Sequence, residues 1–377
     1  MTSLRHKILT IIKVLFVVLI GGLVTKGVDY LFEEREPEVR NIIYMIGDGM
    51  GIAHISAAQI GGDYSPLHLE RAHAVGLCKT YSANNRITDS AAAGTALATG
   101  YKTNNGMIGV TPDGIAHPSI REKAEKAGMA TGVIATYPVT NATPAAFVAH
   151  VDNRHKEDEI ATYYLSNQLD IFFGGGSKRF DQRADSLNLL DTLRQRGYTV
   201  AYTLDELENI SEGKVALLPT EDSMPSELEG RGSFLPQATF KALEILTNNA
   251  KDDGFFIMVE GSQIDGKAHG HDLQAMLAEI YDFDSAVAIA FDYADTHPGT
   301  LVVVTADHET GGLTIVNGNR TFDLHDHQVD YAWTTGGHTG GMVPLFAYGT
   351  GAEHFSGVME NTDVPKIMCR LLGLDEE

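Results

Sequence analysis

Six short apolar runs recur along the chain: NIIYMIGDG (41–49), TGVIAT (131–136), LDIFFGGG (169–176), GFFIMVEG (254–261), TLVVVTAD (300–307) and VPLFAYG (343–349). A strand shows successive side chains to opposite faces, so a run that is apolar throughout has no face to give to water. Helical patterns such as SIREKAEKAG (119–128) and QATFKALEILTNNA (237–250) lie between the runs. This alternation predicts an α/β fold: a largely parallel central β-sheet flanked by helices on both faces, a three-layer sandwich. In such sheets, sites gather beyond the carboxyl ends of the strands.

Three of the runs end in an acid: Asp48, Glu260 and Asp307. A single acid after a strand is most simply a turn residue or a helix cap. Three at strand ends of one parallel sheet point instead to a shared site. The chain carries 28 Lys and Arg against 50 Asp and Glu, a formal charge of −22, which argues against nucleic-acid binding. An anionic substrate would require bound cations to reverse the sign locally.

Ligand-type residues sit where such cations would need them. EGSQIDGKAHGH (260–271) carries Asp265 and His269 four apart, on one face if a helix starts there. TADHETGG (305–312) sets Asp307 beside His308, and TTGGHTGG (334–341) isolates His338 among small residues, where a Gly-rich turn with an incidental His is the plainer alternative. Oxygen with imidazole suits zinc, and all-oxygen sets suit magnesium. ITDSAAAGTALATG (87–100) adds an Asp–Ser pair ahead of a run of small residues. Asp and Ser there can cap a helix. Ser90 can equally be a nucleophile at a helix N-terminus, where free N–H groups favour an anion. A Ser beside an Asp and His cluster predicts metal-assisted transfer of a charged group.

ITDSAAAGT (87–95), DGMG (48–51), NATPAAFVAHVDNR (141–154), EGSQID with the following His (260–269), TADH (305–308) and GGHTGG (336–341) together resemble the alkaline phosphatases, in the family's order, over roughly residues 41 to 350. The resemblance implies hydrolysis of phosphate monoesters over a broad substrate range and with an alkaline optimum, at two zinc ions and one magnesium ion. It implies Ser90 as the nucleophile that forms a phosphoserine intermediate. Asp265, His269 and His338 would hold one zinc; Asp307, His308 and Asp48 the second; and Asp48, Thr143 and Glu260 the magnesium. Arg154 would clamp two phosphate oxygens with its planar fork, and Asp89 would orient neighbours such as Arg154. A homodimer is expected as well. Two positions depart from the family's pattern: Asn141 stands where many members carry an acid or a His near the magnesium site, and Gly266 where many carry Lys or His near the phosphate. The alternatives are a phosphodiesterase or sulfatase of the wider superfamily, or a non-catalytic metal- or phosphate-binding envelope protein. Ser90, Arg154 and the pair of Thr143 with Glu260 favour the monoesterase.

The chain opens with a basic segment, MTSLRHK, and an apolar run at 8–24, which reads as a signal peptide or membrane anchor over 1–27. An acidic linker over 28–40 then leads to a single catalytic domain, 41–377. Export is expected, to the periplasm or to a membrane-anchored position facing outward. Cys78 and Cys369 can pair in an oxidising compartment or remain buried thiols. The acidic segment near 203–235 reads as a surface excursion. His271, and His325 with His327, read as loop histidines, the latter pair with an extra metal site as the alternative.

Overall fold

The apolar runs lie side by side, as their two-sided hydrophobicity demands. The structure, a computed structural model, describes residues 39–166, 168–318 and 328–374. Ten strands share one sheet: Asn41–Gly47 (β1), Ala74–Lys79 (β2), Ala130–Pro138 (β3), Ile171–Gly175 (β4), Tyr198–Ala201 (β5), Lys214–Leu217 (β6), Phe255–Gly261 (β7), Thr300–Thr305 (β8), Val343–Gly349 (β9) and Gly357–Glu360 (β10). Their order is β10-β2-β9-β8-β1-β7-β3-β4-β6-β5. Only β9 runs against its neighbours, β2 and β8; the other pairs are parallel. Every residue of β7 and β8 is buried, so both faces of the sheet's centre are covered, here by helices.

Register explains why three strand-terminal acids can meet. Ile46 of β1 pairs with Glu260 of β7 on one side and with Thr305 of β8 on the other. Asp48 and Asp307 each lie two residues past that level, so all three acids leave the same edge of adjacent strands. Parallel pairing of buried strands is what converts a sequence regularity into a cluster.

The small-residue run forms the helix Ser90–Thr99 (α1), and all ten of its residues are buried. Gly94 in its middle costs about 1 kcal/mol of helix propensity against Ala. The gain is close packing: a Cβ there would lie 3.2 Å from the Ala146 Cβ and 3.4 Å from the Thr143 Cα. The small side chains thus let α1 seat directly on the short helix Ala142–Ala145. Further along the chain lie the helices Phe234–Ala250 (α2), Gln263–His269 (α3), which carries site residues, and Leu273–Thr296 (α4).

Four strands lie outside the six apolar runs. β2 alternates buried and exposed residues, as befits a strand near the sheet's edge, and β5, β6 and β10 are four residues each. The segment near 203–235 is therefore only partly a surface excursion. β6 lies within it, Met224 and Ser226 are buried, and Arg231 forms 2.7 Å ion pairs with both Glu279 and Asp282 in the interior. Its charges look solvated in sequence because their partners lie about fifty residues away, on α4. Cys78 and Cys369 are free and buried, and burial pushes the Cys78 thiol up to about 12. The N-terminal segment, the acidic part of the linker, and His325 with His327 lie outside the described residues. Among the described residues, no helix is long and apolar enough to cross a membrane.

Candidate active site

Asp89 takes the capping role that the sequence leaves open, and Ser90 stands at the helix start where a nucleophile would stand. Asp89 is the N-cap of α1, its Oδ1 accepting from the Ala92 N–H at 3.0 Å, while Oδ2 accepts from the Gly106 N–H at 2.9 Å. Ser90 is the first residue of the helix, buried, with its Oγ 3.2 Å from His308 Nε2. The hydroxyl therefore sits at the positive end of the helix and faces the acid and imidazole cluster.

His308 follows β8 and is fully buried. Its Nε2 lies 3.0 Å from Asp307 Oδ2 and 3.6 Å from Asp48 Oδ1. Asp307 spends its other oxygen on the N–H groups of Gly49, at 3.0 Å, and of His308, at 2.9 Å. Asp48 Oδ1 and Asp307 Oδ2 are buried and make no hydrogen bond within the protein. Two such carboxylate oxygens beside one imidazole nitrogen form a donor set suited to a cation.

The second histidine pair makes the same demand more sharply. His269 Nδ1 lies 2.7 Å from the Gly336 carbonyl, and His338 Nδ1 lies 2.8 Å from the Thr88 carbonyl. A carbonyl only accepts, so in the neutral rings both Nδ1 atoms carry the hydrogen and both Nε2 atoms present lone pairs. Those Nε2 atoms face each other at 3.1 Å, with Asp265 Oδ1 at 3.3 Å from one and 3.5 Å from the other. Lone pairs cannot bond one another; a shared cation resolves the contact. Burial first, and then the nearby His308, lower the His338 pKa, consistent with a neutral ligand ring. Asp265, His269 and His338 form one group with metal-ligand spacing; Asp48, Asp265 and His308 form another, with Asp265 common to both.

The third expected set is also assembled. Thr143 Oγ1 lies 3.4 Å from Asp48 Oδ2, and Glu260 Oε2 accepts from Ser262 Oγ at 2.7 Å. Burial, opposed by the Ser262 hydrogen bond and reinforced by the charge of Asp307, raises Glu260 to about 8. Burial together with Asp307, Asp265 and Glu260 raises Asp48 well above the usual carboxylate range. So many buried acids cannot all ionise without a cation among them.

Arg154 reaches the same mouth. Its Nη1 is 3.5 Å from Asp89 Oδ2 and its Nη2 is 3.4 Å from Asn141 Oδ1, long contacts that aim the fork without saturating it. Asn141, rather than turning its oxygen to the acids, caps its own short helix through the Ala142 N–H at 2.7 Å and faces Arg154. Gly266 has no room for a side chain, because the Tyr137 hydroxyl already fills that space. His271 is exposed, stacks on Trp333 and lies 2.8 Å from the Thr335 carbonyl, so it braces the loop that carries His338. That loop is held further by pairing of His338–Thr339 with Glu309–Thr310, which removes the Gly-rich turn's freedom.

Three participants escape a sequence reading. Thr310 Oγ1 lies 2.5 Å from Asp265 Oδ1 and 3.2 Å from His308 Nδ1, linking the two metal-ligand groups. Ser262 ties Glu260 to β3. Both lie inside motifs already singled out, but no spacing rule marks a Thr or Ser as a brace. Tyr137 has no motif signal at all.

Comparison with known proteins gives the same neighbourhood. Residues 39–328 and 317–374 match the family described as Alkaline phosphatase. The chain is 33% identical to "Alkaline phosphatase 4" of Bacillus subtilis (strain 168), covering 90% of each chain, and 31% identical to "Alkaline phosphatase" of Escherichia coli (strain K12), covering 89% of this chain and 86% of that one. The alkaline phosphatase of the Antarctic bacterium TAB5 superposes with a TM-score of 0.83 at 36% identity, over 91% of this chain and all of that one. A histidine-to-aspartate variant of the TAB5 enzyme holds Mg in its M3 site.

Proposed function

The chain belongs to the alkaline phosphatase family of phosphomonoester hydrolases, and on that premise we propose that it works through a phosphoserine at Ser90, with two zinc ions and one magnesium ion. The observation that carries this reading is the apposition of Ser90 Oγ to His308 Nε2 at 3.2 Å, at the helix end nearest the ligand groups. Asp265, His269 and His338 would hold one zinc; Asp48, Asp307 and His308 the other; Asp48, Thr143 and Glu260 the magnesium. When bound, these cations supply the positive charge that ionises the attacking hydroxyl and steadies the leaving oxygen.

The chain's own groups account for the rest. Arg154 binds two non-bridging phosphate oxygens, and Asp89 holds both that guanidinium and the start of α1 in place. Ser90 Oγ gives up its proton to solvent and bonds to phosphorus as the ester P–O bond breaks, and the alcohol leaves with a proton from solvent. Water then breaks the Ser90–phosphorus bond, releasing inorganic phosphate and returning a proton to Ser90. Such transfer depends on position and charge neutralisation more than on covalent chemistry. That is why an acidic protein with a cation-seeking core suits an anionic substrate.

Export, with the site in the periplasm or held outward by residues 8–24, and a homodimeric assembly belong to the same proposal. The experiment that tests the reaction is hydrolysis of p-nitrophenyl phosphate, the bis-p-nitrophenyl diester and p-nitrophenyl sulfate, before and after chelation. Dominant monoester turnover that chelation removes and zinc with magnesium restores is expected. Preference for the diester or the sulfate would move the chain to another branch of the superfamily.

A further inference from the structure

Residue 266 directly follows the metal-type ligand Asp265 on α3, yet it contributes no side chain. The space is already taken. A Cβ at Gly266 would overlap the Tyr137 hydroxyl and lie 3.4 Å from the ring carbon Cζ. Tyr137 reaches this place from the carboxyl end of β3, the strand beside β7.

The end of β3 is firmly held. The N–H groups of Thr136 and Tyr137 donate to Ser262 Oγ at 3.1 and 3.2 Å, and the Ser262 N–H donates to Thr136 Oγ1 at 3.0 Å. Ser262 Oγ in turn donates to Glu260 at 2.7 Å. The ring is thus anchored to the same strand end that supplies the acid cluster. Its hydrogen bonds to the described residues run through the backbone and leave the hydroxyl uncommitted. Tyr137 and Gly266 are both partly exposed, so the hydroxyl stands at an accessible surface beside Asp265. A neutral phenol carries one O–H to donate.

We propose that Tyr137 is a substrate-positioning residue whose hydroxyl, standing where a side chain at position 266 would otherwise lie, donates a hydrogen bond to a phosphoryl oxygen of the ester and of product phosphate. The inference rests on the monoesterase reading above. A neutral donor of this kind changes affinity by roughly three- to tenfold, and because it acts on the bound phosphoryl group throughout, it acts on KM rather than kcat.

The test uses the zinc- and magnesium-loaded enzyme and its Tyr137→Phe, Gly266→Ala and doubly substituted variants. Calorimetric titration with inorganic phosphate is paired with kcat and KM for p-nitrophenyl phosphate, and thermal unfolding checks that each variant is folded. Tyr137→Phe is expected to weaken phosphate binding about three- to tenfold and to raise KM alike, with kcat little changed. Gly266→Ala should weaken phosphate by displacing the hydroxyl in the native background and cost nothing further once residue 137 is Phe. Phosphate affinity of Tyr137→Phe within about twofold of the native enzyme, or an equal cost of Gly266→Ala in both backgrounds, overturns the proposal. A native holoenzyme that neither binds phosphate nor cleaves the monoester overturns the reading beneath it instead.

Discussion

Ser90 Oγ lies 3.2 Å from His308 Nε2, although 218 positions separate the two residues in the chain. The contact joins the start of a buried helix to the end of a central strand. It is the point at which the nucleophile reading and the metal reading become one site. Ser90→Ala removes only the hydroxyl from a helix whose cap is Asp89, so the fold and the ligand groups should persist. Monoester turnover should fall at least about a thousandfold, with bound zinc, measured by elemental analysis, unchanged. Retained turnover would remove Ser90 from the reaction.

Thr310 braces both Asp265 and His308, so Thr310→Val should loosen metal binding without removing a ligand. Loss of such a supporting hydrogen bond typically costs 10- to 100-fold in metal affinity. Competition for zinc against a chromophoric chelator measures it directly. An unchanged dissociation constant would mean that the Thr310 contacts are incidental.

Metal loading should also stabilise the fold, because the acid cluster is otherwise left with mutually repelling, poorly solvated charges. Free zinc at a hundred times its dissociation constant is expected to add about 2.7 kcal/mol. Thermal unfolding across a zinc titration checks this, and a melting temperature insensitive to zinc contradicts it.

Arg231 is held by Glu279 and Asp282 away from solvent. Arg231→Met would strand both acids, a loss of about 3–5 kcal/mol when a buried pair is broken from one side. Burial already raises Asp282 to about 6 against the pull of Arg231, so part of the cost will be relieved by protonation at low pH. Urea unfolding at pH 5 and pH 8 should therefore show the larger loss at pH 8.

His150 and Glu122 provide a pH-dependent contribution of their own. His150 Nε2 lies 3.0 Å from Glu122 Oε1, and its Nδ1 lies 2.8 Å from the Gly109 carbonyl. Burial opposes both charges, but the pairing outweighs it, raising His150 and lowering Glu122. A raised His contributes stability that is complete below its unfolded pKa, about 6.5, and is lost as pH climbs through the folded value; a lowered Glu contributes above about 4.3 and loses it on acidification. The stability advantage of the native chain over His150→Asn should peak between about pH 4.3 and 6.5 and shrink above it. A difference that grows towards alkaline pH would reverse the assignment.

Much of this was legible in the sequence because it depends on local pattern. The central strands announce themselves by unbroken hydrophobicity, and a parallel register necessarily brings Asp48, Glu260 and Asp307 to one edge. β2 and β6 were not legible, since an alternating strand and a four-residue strand look like loop within an acidic stretch. The candidate ligands Asp265, His269, Asp307, His308 and His338 were legible from type and spacing within motifs, whereas the sets completed by Asp48, Thr143 and Glu260 were implied by the resemblance to the alkaline phosphatases. Their supports were not legible, because Thr310, Ser262 and Tyr137 act through contacts between distant segments. Tyr137 shows the limit most clearly: Gly266 reads as a missing group, and only the fold shows that a phenol from the neighbouring strand stands in the gap.

The central claim is that phosphate passes through Ser90. The metal-loaded enzyme should be mixed with excess p-nitrophenyl phosphate, quenched in acid within milliseconds and digested for mass spectrometry. Covalent phosphate on the peptide bearing Ser90, formed and discharged at rates compatible with turnover and absent in Ser90→Ala, is the predicted result. Full turnover with no phosphate on Ser90 at any quench time, or a Ser90→Ala variant as active as the native enzyme, would contradict the account.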